Sequence, residues 1–180
     1  MTAQQQDQIE LKGAQRPRTA ARVAALQALF QIEQNEERPD TVIQQFLVHR
    51  FGTTLNQDSY SDGYIPEADP RLFSAIVKQG VSQRGAIFDL LSETLPATWP
   101  VARLDPVLPA LFQAAIGEAL EKDLPSAILI NEYMDIAHAF FFGDEPKLVN
   151  GVLDTVVRRI NTPTDAESPA AGTIDDVSAD

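Results

Sequence analysis

Along most of this chain the apolar residues recur at intervals of three and four, the period of helices that bury one face, and no segment sustains the two-residue alternation of a half-buried strand. From Thr19, a capping residue type, Val23, Leu26 and Phe30 form one stripe with Leu29 beside it, and this helix should fade between Gln34 and Glu37, before Pro39. Val42, Phe46 and Leu47 predict a second, shorter helix that ends at His49 or Arg50. Asp69-Pro70 reads as a cap followed by proline at the first helical position, and Phe73, Ile76, Val77 and Gly80 continue that helix. Ile87, Leu90, Leu91 and Leu95 belong to the next, joined to the previous one near Val81 to Arg84 by either a turn or a kink.

Pro96, Pro100, Pro106 and Pro109 then break the pattern into short pieces. Asp105-Pro106 can start a helix that buries Leu108, Leu111, Phe112, Ala115 and Ala119, with Pro109 tolerated in its first turn. After Pro125, Ile130, Met134, Ala137 and Phe141 define another apolar face. Asp144 and Pro146 open a last helix that points Val149, Val152, Val156 and Ile160 inward. The expected class is all-α, a bundle of about seven helices, counting a short one near Trp99, in two closely packed subdomains, because helices this short gain most of their stability from packing.

Residues 1–17 are polar and Gln-rich and read as a disordered arm; 18–160 form the helical domain, helical over 18–50 and 68–160. Its connector, 51–67, is rich in Gly, Ser, Asn and Asp and should divide an N-terminal group of helices from a C-terminal one. Residues 161–180 form an acidic tail expected to be disordered.

Charge changes this picture. The chain carries a net charge of −12, a field that opposes phosphate contacts, yet residues 1–30 hold a local balance of +2 and the tail holds −5. An acidic body with a weakly basic opening is compatible with one small nucleic-acid patch. There is no cysteine, which excludes disulfides, thiolate catalysis and cysteine-based metal sites. The opening residues lack the pattern of a secretory signal, and the apolar patches around Ile128 and Phe140 are too interrupted to cross a membrane, so the expected location is the cytoplasm.

Candidate chemistry is sparse. Asp135 and His138 share a helical face but lack a third ligand, and Glu132 and Asp135 read as solvated helix charges; no catalytic residue, metal site or cofactor is expected. Asn131 and Asn150 are expected to hydrogen-bond across the corner between the last two helices, and Gly151 to permit their close packing. Tyr133 and Phe140 to Phe142 divide between core packing and a partner surface. Arg18 and Arg22, four residues apart on one side of the opening helix, with Arg16 just before them, could bracket phosphates.

The stretch INEYMDIAHAFFFGDEPKLVNGVLD, from Ile130 to Asp154, resembles the C-terminal signature of the NusB family. Ala21-Arg22, Ala25 and Gln27-Ala28-Leu29-Phe30 resemble the family's opening segment, and Trp99, Arg103 and Leu104 its middle one. The resemblance spans about Arg16 to Ile160. It implies a non-enzymatic transcription antitermination adaptor that binds boxA-like single-stranded RNA with a NusE-type small ribosomal-subunit protein, within an RNA polymerase antitermination complex. The oligomeric state, monomer or homodimer, stays open. By the same resemblance Arg16, Arg18 and Arg22 would bind RNA, with Tyr133 stacking on a base. Thr19 and Ala20 stand where many members extend the arginine run, Leu108-Pro109 replaces a charged pair and Gln113 a later arginine. These departures support an alternative, a helical protein-interaction module on the same scaffold with weak or lost RNA binding.

Overall fold

The computed structural model describes the backbone of residues 3–51 and 68–161, with side chains from residue 17 onward within those ranges. Seven α-helices, α1 (Ala3–Asn35), α2 (Pro39–His49), α3 (Pro70–Ser82), α4 (Arg84–Thr94), α5 (Val107–Glu121), α6 (Ser126–Phe140) and α7 (Glu145–Asn161), are joined by one 3-10 turn at Val101–Arg103. No strand occurs among the described residues, so the fold is all-α. The remainder of the 51–67 connector and of the 161–180 tail lies outside the described residues.

Local chemistry explains most boundaries. The Asp69 carboxylate accepts the Arg71 and Leu72 N–H groups at 2.9 and 3.0 Å, and Pro70 occupies the first turn, where its missing N–H leaves no gap. The Asp105 carboxylate accepts from Val107 N at 2.9 Å and starts α5 in the same way. α1 ends where Glu36 turns to φ 54°, and α5 where Lys122 turns to φ 57°. Between α3 and α4 the chain turns at the single residue Gln83, whose N–H still reaches the Gln79 carbonyl at 2.9 Å.

The opening helix differs from its expected start. Thr19 lies inside α1 and caps nothing, because the helix extends back to Ala3 and runs through Pro17. Gln, Glu, Leu and Ala, all good helix formers, dominate the segment before Pro17. The Pro17 carbonyl accepts the Asp69 N–H at 2.9 Å, tying α1 to the start of α3. Leu29 then lies against Gly80 and Glu33 pairs with Arg84 at 2.7 Å, so α1 and α3 run parallel from this tie to the ends of both helices.

The division of the bundle also falls elsewhere than the connector suggests. α3, beyond the connector, packs on α1 and α2. Phe73 stacks on Phe46 at 5.4 Å and meets the edge of Phe51 at 4.7 Å between ring centres. Large aromatic faces outweigh sequence proximity here, so α1–α3 form one group and α4, α6 and α7 the other.

α5 joins the two groups, packing on α1 and α3 on one side and on α4, α6 and α7 on the other. Eleven of its 15 residues are buried, including all of Ala110 to Ala119. A helix this apolar on every side can only be central. Its closest neighbour is α3: a methyl group placed on Gly117 would come within 3.0 Å of the Gly80 nitrogen and 3.1 Å of its Cα. Beside this crossing Gln113 donates its amide to the Gly80 carbonyl at 3.0 Å.

Gly151 does not hold the last two helices together. It is exposed on α7 and a Cβ there would meet nothing within 4 Å. Gly151→Ala is therefore expected to raise stability by up to about 1 kcal/mol, through helix propensity and a less flexible unfolded chain, read as a higher urea midpoint with unchanged slope. Asn131 and Asn150 are likewise exposed, and no hydrogen bond joins them. α6 and α7 pack on each other, and Leu129 and Ile136 of α6 and Val149, Leu153 and Val156 of α7 are buried. Ala137 of α6 and Phe141 just after it are buried as expected, but in the first half of the helix Leu129 and Tyr133 take the inward positions, while Ile130 and Met134 are half-buried.

Candidate nucleic-acid interface

The arginines of the opening helix part ways in the structure. Arg18 is exposed, and the side chain of Arg16 lies outside the described residues. Arg22, one turn after Arg18, is only 2% exposed and points into the bundle. Tyr133 is fully buried. Neither Arg22 nor Tyr133 presents a surface to RNA, a correction to the sequence reading, and both are members of one interior network.

Three helices build that network. From α1, Arg22 forks onto Glu118 of α5: Nη2 reaches Oε1 at 2.7 Å and Nε reaches Oε2 at 2.9 Å, the bidentate geometry a planar guanidinium favours. Its Nη1 reaches Oε2 of Glu132, on α6, at 2.8 Å. The Tyr133 hydroxyl donates to Glu118 Oε2 at 2.9 Å, and the Thr19 hydroxyl donates to Glu132 Oε2 at 2.8 Å. One guanidinium thus serves two carboxylates, and two neutral hydroxyls each add a hydrogen bond to one of them.

Electrostatics follow from this arrangement. Burial alone lowers the Arg22 pKa, but the hydrogen bonds and charge of Glu118, aided by Tyr133 and Glu132, outweigh it and hold the group above its ordinary value. Arg22 is therefore a permanent cation. Burial, and then the adjacent Glu118 carboxylate, push the Tyr133 phenol well above its usual pKa, so it stays a proton donor. Glu132, expected among the solvated charges, has turned inward toward Arg22, while Asp135 remains exposed.

The sequence held a signal for this inversion. Arg22 precedes Leu26 by four residues and Leu29 by seven, so it stands on the apolar stripe itself. Glu118 has the same relation to Ala114 and Leu111. A charge placed on such a stripe needs a buried partner. Two departures from the family pattern also change meaning: Gln113 and Leu108 are fully buried, so neither position is an RNA-facing surface in this chain.

Other surface features are few. A groove of about 440 Å³ opens beside α1 and α2, its lining including Leu26, Phe30, Phe46, Arg50, Val107 and Phe140. Phe142 is 95% exposed at the α6–α7 corner. His138 is exposed, and no group of three or more metal-ligating side chains occurs among the described residues. Among the described residues, no helix is long and apolar enough to cross a membrane.

Fold and interior together define an all-helical scaffold of two groups sharing one central helix, with an arginine-bearing helix anchored across both. The NusB family model matches residues 19–158, and the chain belongs to that family. Two relatives named transcription antitermination protein NusB are similar over most of their length. One, from Gluconobacter oxydans, is 54% identical over 147 residues, 81% of this chain and 89% of the relative. The other, from Granulibacter bethesdensis, is 51% identical over 146 residues, 81% of this chain and 90% of the relative. The solved structure of T. maritima NusB matches with a TM-score of 0.62 and 27% identity, covering 79% of this chain and 91% of that one.

Proposed function

We propose that the protein is a transcription antitermination factor that binds boxA-like single-stranded RNA together with a NusE-type small ribosomal-subunit protein, inside an RNA polymerase antitermination complex. The observation that carries the RNA part is Arg18, an exposed guanidinium on the opening helix, with Arg16 two residues before it in a locally basic stretch. The names of the relatives support the antitermination role. No chemical step is involved; binding free energy places RNA and partner protein together.

A titration of labelled boxA-containing RNA against a scrambled sequence, with and without the ribosomal partner and at two salt concentrations, tests this reading. Preferential, salt-sensitive binding that tightens with the partner is expected. Arg16→Ala with Arg18→Ala should weaken binding roughly tenfold and lower the salt slope by about 0.7 for each phosphate left without its cation. Equal binding of both RNAs would refute sequence recognition, and an unchanged slope would refute the assigned arginines.

The second reading, a protein-interaction module without RNA recognition, draws on the net charge of −12 and on the apolar groove beside Phe140. It predicts a complex with the ribosomal protein whose stability does not respond to RNA.

A further inference from the structure

Glu132 is an acid on the helix face toward the proposed RNA-binding end of α1, in a protein whose charge already opposes RNA. Coulomb's law alone makes it a hindrance, since any carboxylate near the arginines repels phosphate. Yet its contacts tie it to that end of α1. Oε2 accepts both the Arg22 guanidinium and the Thr19 hydroxyl at 2.8 Å, so one oxygen grips two residues of α1 that flank almost a full turn. Arg18 immediately precedes Thr19 and lies four residues before Arg22.

We infer that Glu132, acting through Thr19 and Arg22, is a positioning residue for RNA binding: it anchors the Thr19–Arg22 turn of α1 on α6 and so fixes the direction in which Arg18 is presented. The inference rests on the RNA-binding reading above. Glu118 anchors the deeper side of the same guanidinium from α5, where side-chain exposure is 7%; Glu132, at 15%, holds the side nearer solvent. A helix held at this turn from two directions cannot rock about its axis without breaking short charged hydrogen bonds. Arginine reaches phosphate through a long flexible chain, and a fixed backbone beneath it reduces the ordering that binding must still impose.

The test turns on sign. Glu132→Ala removes a negative charge, so a purely electrostatic role predicts tighter RNA binding, whereas positioning predicts weaker binding. Fluorescence anisotropy with boxA-containing RNA, on the full chain with its ribosomal partner, should show on the order of tenfold weaker binding by Glu132→Ala. Its salt slope should match wild type, because every cation that faces phosphate is still present. Glu132→Gln keeps an acceptor oxygen for Arg22 and Thr19 and should recover most of the affinity. Thr19→Val, which removes the hydroxyl donated to Glu132, should weaken binding in the same direction by a smaller factor and serves if Glu132→Ala does not fold.

Circular dichroism of each variant verifies that the helices are intact. Unchanged or tighter binding by folded Glu132→Ala, or by Thr19→Val in its place, overturns the inference while leaving the functional reading standing. A lowered salt slope in either overturns it as well, since the residue would then act through ion release. Wild-type protein that ignores boxA-containing RNA overturns both.

Discussion

Arg22→Met should lower the free energy of unfolding by about 3–5 kcal/mol, seen in urea denaturation as a large drop in midpoint. Methionine fills a similar part of the volume but supplies no charge. Glu118 and Glu132 would then face each other across the bundle with two hydroxyls and no cation, at side-chain exposures of 7% and 15%. The wild-type triad does not have to contribute that much net stability, since desolvating all three ions is itself unfavourable; the loss comes from stranding the carboxylates. A surface arginine that touched only RNA would change stability by less than about 0.5 kcal/mol on the same replacement. The experiment therefore decides directly between an interior and an exposed Arg22. Arg22→Lys should be intermediate, because an ammonium retains the charge but cannot form the fork onto Glu118.

Gly117→Val is expected to destabilise by about 2–3 kcal/mol, with the same measurement. The Cβ would stand 3.0 Å from the Gly80 nitrogen, against backbone that no rotamer change can move. α3 and α5 would have to separate, and the Gln113 amide bond to the Gly80 carbonyl lies beside that crossing. The opposite sign expected for Gly151→Ala makes the pair informative: two helical glycines, one pressed on backbone and one facing open space. A valine at 117 that left stability unchanged would show that the two helices do not pack this closely.

Much of the fold is readable from the sequence because its signals are local. Asp69-Pro70 and Asp105 act on N–H groups two or three residues away, and each starts its helix as the sequence suggests. Apolar spacing likewise identifies Leu108, Leu111, Phe112, Ala115 and Ala119 as core. The site is less legible because its partners are distant in sequence. Arg22 lies 96 residues from Glu118 and 110 from Glu132, so periodicity can mark Arg22 as out of place on an apolar stripe but cannot name what neutralises it. The aromatic ring of Tyr133 suggests a stacking surface, whereas its hydroxyl finds an acceptor 15 residues earlier on a different helix. The packing role expected of Gly151 belongs to Gly117, since small size alone does not tell which glycine lies at a crossing.

The central position of α5 constrains how the molecule can come apart. With eleven of its residues buried against helices of both groups, it has no stable place in either half alone. Removing α1–α3 would strip one side of α5 to water, and removing α4, α6 and α7 would strip the other. Two groups of helices that share their core in this way are expected to lose it together: the molecule divides by architecture but should melt as a single cooperative unit.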